Sequence, residues 1–207
     1  MKRMILIDGN SLMYRAYFGI ADTSTLKPNS KGVFTNAIMS FARMMNHILQ
    51  EQFDNILVAF DAGKHTFRHD IMTDYKAGRA HMPEEMRMQI AHIKNLLDLL
   101  GVKRYEVALY EADDIIGTMA KKAEGEGYHV DIYSSDKDLL QLITDNTTVH
   151  LTKKGLTDLE DYTPSHFEEV YGIKVPQFID LKALMGDKSD NISGVPGIGI
   201  KKAVKYL

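Results

Sequence analysis

The sequence predicts an α/β fold with a mainly parallel, twisted sheet flanked by helices, and three observations carry that prediction. Short apolar runs end on an acid: residues 4–7 stop at Asp8 and Gly9, residues 55–60 at Asp61, and residues 129–135 at Asp136. Helical spacing of apolar residues fills the intervals between them. Strands alternating with helices build βαβ units, whose parallel sheet is buried on both faces.

In chain order, MILI at 4–7 is the first predicted strand, residues 36–50 a helix, and NILVAF at 55–60 the second strand. Residues 84–100 and 112–124 are helices, HVDIYSS at 129–135 is a strand, 138–142 a short helix, and TTVHL at 147–151 a fourth strand. From about Tyr162 the texture changes. TPSHFEEVYG offers Thr163 as N-cap, Pro164 at the first helical position and Gly172 as a stop. PQFIDLKALMG is a second short helix closed by Gly186, and GDKSDNISGVPGIGIKKAVKYL links through a glycine hairpin to a last helix. The expected division is a core over 1–160 and a small helical appendage over 161–207.

At 207 residues and 44% hydrophobic content the chain can bury a substantial core. It has no cysteine, so a disulfide framework, a thiolate nucleophile and a cysteine-type zinc site are excluded. The start, MKRMILIDGN, is too short in apolar residues for a signal or membrane segment, which leads us to expect a cytoplasmic protein without membrane association. The net charge of −3 hides a clustering of signs along the chain.

The acids dominate. YEADD places Glu111, Asp113 and Asp114 at the start of a helix, where one carboxylate would suffice to cap it. Asp136 and Asp138 are two residues apart, and Asp187 and Asp190 three apart, on one face of a helical turn. Any single Asp after a strand is an ordinary turn former. However, ligands of open parallel sheets bind beyond the carboxyl ends of the strands, where Asp8, Asp61 and Asp136 all fall. If the nine carboxylates converge, cations must hold them together, and magnesium or manganese suits such oxygen ligands. A pair of such ions suits in-line hydrolysis of phosphodiesters.

Cations and aromatics follow. GKHTFRHDIMTDYKAGRAHMP interleaves Lys64, Arg68, Lys76 and Arg79 with Phe67 and Tyr75, a composition that suits phosphates and bases and equally a solvated loop. Its lack of apolar periodicity over 65–82 leads us to expect mobility. In GVPGIGIKKA, Gly197 and Gly199 permit a tight turn at a helix start, with Lys201, Lys202 and Lys205 beyond it.

Taken in order, LIDGNSLMYRAYF, VAFDAGKHTFRHDIMTDYKAGR, YEADDIIG, SSDKDLLQL and LMGDKSDNISGVPGIGIKKA closely resemble the 5′ nuclease domains of bacterial DNA polymerases I. Those domains are related to bacteriophage 5′ exonucleases and flap endonucleases. The resemblance implies a PIN-like core, an arch over the active site at about 64–95, and a helix-hairpin-helix at about 186–207 that grips duplex DNA. It implies Asp8, Asp61, Glu111, Asp113 and Asp114 around one Mg²⁺ and Asp136, Asp138, Asp187 and Asp190 around a second, with Asp136 close to both. Mn²⁺ could substitute, and K⁺ is a candidate at the hairpin. Lys76 and Arg79 match the basic pair at the scissile phosphate, where Asp61 and Asp136 join them as catalytic residues, while Tyr14, Arg15 and Tyr75 match positions near the DNA end. Ile200 and Lys202 depart from the Glu and Lys-Thr common in polymerase relatives. The family's domain continues through further helices, so the region is expected to be cut short at Leu207.

The implied activity is structure-selective 5′-3′ exonuclease and flap endonuclease cleavage in primer removal and repair. The expected partners are DNA with a 5′ end or flap and a polymerase domain of the same parent chain, and the protein itself is expected to be a monomer. The rivals are a non-catalytic DNA-junction binding module and a PIN-type ribonuclease.

Overall fold

Residues 4–8 are all buried, and this run ends β1 (Lys2–Asp8), the central strand of a six-stranded sheet. The computed structural model describes residues 2–19, 27–153 and 158–207. After β1 come α1 (Gly9–Phe18), α2 (Asn36–Ile48), β2 (Asn55–Ala59), α3 (Phe67–Ile71), α4 (Glu84–Leu99) and β3 (Lys103–Tyr105). Then follow α5 (Ala112–Gly125), β4 (Tyr128–Ser134), β5 (Thr147–Thr152) and β6 (Leu159–Tyr162). The C-terminal region holds α6 (Pro164–Tyr171), α7 (Phe178–Met185), β7 (Gly186–Asp187), β8 (Ile192–Ser193) and α8 (Ile200–Tyr206).

The strand order is β3-β2-β1-β4-β5-β6, parallel except for the antiparallel edge strand β6. Alternation along the strands sends Ile5, Ile7 and Val58 into one apolar layer with Leu12, Phe41, Met45, Ile93 and Leu97. Leu6, Ile132 and Val149 enter the other layer, with Ile116 of α5. Each such fully buried side chain contributes about 1.5–3 kcal/mol. The chain order reverses between β1 and β4, so a crevice opens beyond the carboxyl ends of those strands. Gly9 lets α1 begin there directly, because a Cβ at this position would lie 2.5 Å from the Phe60 ring.

Several expectations change in detail. Residues 138–142 belong to a 3₁₀ turn over Lys137–Leu142, held at its start by the Asp136 side chain accepting from the Asp138 N–H. Strands β3 and β6, and helices α1 and α3, are additions to the elements expected. The helices after β6 share the sheet's core: Phe167, Phe178, Leu181 and Ala203 pack in the same cluster as Ile132. Within 64–95, Met86 and Ile93 of α4 are fully buried, so that helix belongs to the core layer. Thr163 caps α6 and Gly172 ends it in the left-handed conformation (φ 70°), as the sequence suggested. Among the described residues no helix is long and apolar enough to cross a membrane.

Candidate active site

A cavity of about 930 Å³ lies beyond β1 and β4, and Asp8, Asp61, Glu111, Asp113 and Asp136 line it. Asp8 ends β1, is 4% exposed, and accepts hydrogen bonds from the Ser11 N–H and the Ser134 hydroxyl, both at 2.9 Å. Asp61 follows β2 and accepts from the Ala112 N–H at 2.7 Å, capping α5. Asp113 comes from the first turn of that helix. Burial, reinforced by the charges of Asp8, Asp136 and Asp61, pushes Asp113 up to about 8. Burial likewise raises Asp8, to about 7, against the hydrogen bonds it accepts and with Asp136 and Asp61 adding to the rise. The cluster is therefore short of positive charge.

The other five acids are matched by cations of the chain itself. Lys76 Nζ lies 2.8 Å from Glu111 Oε2, and Arg79 is paired with Asp190 at 2.5 Å. Arg68 grips Asp114 with two hydrogen bonds of 2.8 Å. Lys182 stands between Asp138, at 2.7 Å, and Asp187. Its partnership with the Lys182 ammonium and the Ser189 hydrogen bonds hold Asp187 below the usual carboxylate range, against its partial burial.

This pairing departs from the expected ligand groups. Asp114 is turned to Arg68 and accepts from the Glu111 N–H at 2.9 Å, so it serves the start of α5 rather than the carboxylate cluster. The Asp190 carboxylate accepts from Tyr75 and Arg79 instead of facing Asp138 and Asp187, and only its backbone N–H reaches Asp187. Tyr75, expected near nucleotides, is 7% exposed, and its hydroxyl is shared between Glu111 (3.3 Å) and Asp190 (3.1 Å). Arg68, expected on DNA, is committed to Asp114. Among the described residues no three acidic or imidazole side chains meet closely enough to grip an ion as they stand. An ion would have to draw the cluster inward.

Within the segment expected to be mobile, two hydrogen bonds reach the loop around Asp190. The Lys76 N–H donates to the Asp190 carbonyl at 3.0 Å, and the Asn191 side-chain amide donates to the Asp74 carbonyl at 2.9 Å. Lys76 and Asn191 both hold left-handed backbones, at φ 58° and 60°. Lys64 and Tyr14 line the cavity, and Tyr14 is 39% exposed. Arg15 donates to the Lys153 carbonyl. At the far end, Gly197 is left-handed (φ 76°) and Gly199 precedes α8. Lys201 and Lys202 are both exposed, and Lys202 Nζ returns to the Gly197 carbonyl at 2.8 Å. Lys182 escaped the sequence reading, because a lysine on a short helix carries no signal of its own.

Residues 3–172 match the family model of the 5'-3' exonuclease N-terminal resolvase-like domain, and residues 173–207 that of the 5'-3' exonuclease C-terminal SAM fold. The chain belongs to the 5'-3' exonuclease family. Its relatives in this family include DNA polymerase I of Bacillus subtilis, 53% identical over 207 residues, which are 100% of this chain and 23% of that protein. The chain thus spans about a quarter of the length of the curated relatives it matches. The T5 D15 protein co-crystallised with metal ions superposes with a TM-score of 0.78 at 26% identity, covering 99% of this chain and 74% of that one. The T5 D15 flap endonuclease in a pseudo-enzyme-product complex with DNA and metal ions gives 0.77 at 26% identity, over the same shares. The α/β sheet with its C-terminal helical region is the exonuclease-family fold, and five of the nine acids, Asp8, Asp61, Glu111, Asp113 and Asp136, line its cavity.

Proposed function

We propose that this 5'-3' exonuclease family member hydrolyses phosphodiesters of DNA at a free 5′ end or flap, with two divalent ions, Mg²⁺ or in its place Mn²⁺. The observation that carries the reading is the cluster of the buried Asp8 with the half-buried Asp61, Asp113 and Asp136, acids with no ion pair among the described residues, beside a loop of cations. All-oxygen donors of this kind suit hard divalent ions. Asp8, Asp61, Asp113 and Asp136, with Glu111, would hold one ion, and Asp138, Asp187 and Asp190 the other, with Asp136 between them. When bound, such ions supply water activation and Lewis-acid stabilisation of the leaving oxygen.

The chain's own part is placement and charge. Lys76 and Arg79, released from Glu111 and Asp190, would reach the scissile phosphate and stabilise the charge that develops on it. Tyr14 and Lys64, on the cavity wall, would meet the DNA near its 5′ end, together with Arg15. The glycine turn with Lys201, Lys202 and a bound K⁺ would hold the duplex through its phosphates. Primer removal and repair, a polymerase region in the same parent chain, a cytoplasmic location and a monomeric state complete the reading.

Cleavage of a 5′-labelled flap DNA tests it. Mg²⁺-dependent products near the junction, lost with chelator and with Asp61→Asn while DNA binding persists, are expected. Binding without cleavage at any Mg²⁺ concentration would favour a junction-binding module, and preference for an RNA flap would favour a ribonuclease.

A further inference from the structure

Lys182 has no role in the reading above, yet it contacts two of the proposed ligands. It lies on α7, whose neighbouring residues Phe178 and Leu181 are buried in the core and fix the helix. The chain then turns sharply at Gly186 (φ 71°), where a Cβ would come within 2.2 Å of the Gly194 backbone nitrogen. The turn folds Asp187 back beside the helix. Its position is fixed further by the Ser189 N–H, which donates to Asp187 Oδ1 at 2.8 Å. Asp138 arrives from the 3₁₀ turn after β4, so the two carboxylates meet at Lys182 from separate elements.

We infer that Lys182 is an internal counter-cation that holds Asp138 and Asp187 together and that a divalent ion must displace to bind them. This rests on the two-ion reading above and adds an asymmetry to it. Of the central ligands only Glu111 is paired with an ammonium, that of Lys76, while Asp8, Asp61, Asp113 and Asp136 have no such competitor among the described residues. Their ion therefore binds tightly, and the ion at Asp138 and Asp187 binds weakly because it must evict an ammonium from both. Lys182 is then a positioning residue that sets the ion concentration at which the second site fills. It also spares the site the repulsion of two adjacent carboxylates while that ion is absent. Once displaced, its flexible four-carbon stem can carry the ammonium outward, since the side chain is 31% exposed.

The experiment is a Mn²⁺ titration of the 207-residue protein, followed by calorimetry and by electron paramagnetic resonance of free Mn²⁺, without DNA. Wild type should show a tight and a weak class. Lys182→Met should tighten the weak class by roughly tenfold or more, because the competing charge is gone, and leave the tight class within about twofold. Lys182→Arg should restore weak binding, because it keeps a cation there. The unmoved tight class serves as the control for folding, and Lys182→Met should melt lower than wild type in chelator, because Asp138 and Asp187 are then left together without a cation. A weak class that does not move in Lys182→Met, or that loosens, overturns the assignment of Lys182 alone. Absence of a tight class in wild type overturns the two-ion reading and this inference with it.

Discussion

Asp113→Asn should stabilise the ion-free protein at alkaline pH while removing its activity. The carboxyl of Asp113 is pushed from an ordinary 3.8 to about 8, by burial first and then by the charges of Asp8, Asp136 and Asp61. An unfolded chain would ionise this group from about pH 4, whereas the folded chain holds its proton until about pH 8. The folded state thus binds more protons through that window, and stability falls as pH rises across it. At 1.36 kcal/mol per pKa unit, the ceiling on this loss is roughly 6 kcal/mol. The repulsion is shared with Asp8 and screened on the cavity side, so one substitution should recover about 1–3 kcal/mol. Urea denaturation in chelator at pH 8.5 and pH 5 measures it: the variant should exceed wild type at pH 8.5, by a margin that narrows at pH 5. Saturating Mg²⁺ should reverse the order, since an ion at about 100 times its Kd adds roughly 2.7 kcal/mol to wild type. A variant no more stable than wild type at pH 8.5, or a margin indifferent to pH, would refute the reasoning.

Further outcomes follow from the same geometry. Lys76→Ala should lower kcat by about 10²-fold or more with little change in duplex affinity; a matching loss of affinity would move this lysine from the reacting phosphate to the binding surface. Lys201→Ala should make the salt dependence of duplex binding shallower by about one, whereas Lys202→Ala should also disturb the turn, because Lys202 holds the Gly197 carbonyl; an unaltered salt slope in Lys201→Ala would remove the hairpin contact. Burial opposes a charge on His150, but its hydrogen bonds to Asp131 (2.8 Å) and Asp161 (2.7 Å) prevail and raise its pKa. The stability this gives is complete below about pH 6.5 and is lost as pH rises through the folded value. His150→Gln should therefore cost more stability at pH 6 than at pH 9 in thermal melts, and an equal cost at both would contradict the charged pairing.

The strands that build the cavity were legible because a parallel sheet buried on both faces needs continuous apolar runs, as in residues 4–7 and 55–60. Edge strands escape that rule. β3 is KRY and β6 is LEDY, polar sequences that an edge tolerates and that give no periodic signal. Helix α1 was hidden because it starts on the residue after β1, with Asp8 serving as strand end, cap and site acid at once. The acids themselves stood out by their spacing. Their partners did not: Lys76 lies 35 residues from Glu111, and Arg79 lies 111 from Asp190. Such pairings follow from tertiary contacts, among them the Lys76 N–H on the Asp190 carbonyl and the turn at Gly186, and no local pattern encodes them. The same distance hid the burial of Tyr75, whose neighbours in sequence are polar.

The measurement closest to the central claim is anomalous diffraction from crystals of the protein soaked in Mn²⁺. The strongest peak should stand among Asp8, Asp61, Asp113 and Asp136, with the carboxylates drawn inward, and should vanish in Asp113→Asn. A peak elsewhere, or none at Mn²⁺ concentrations that support cleavage, would contradict the assignment of this cluster as the metal centre.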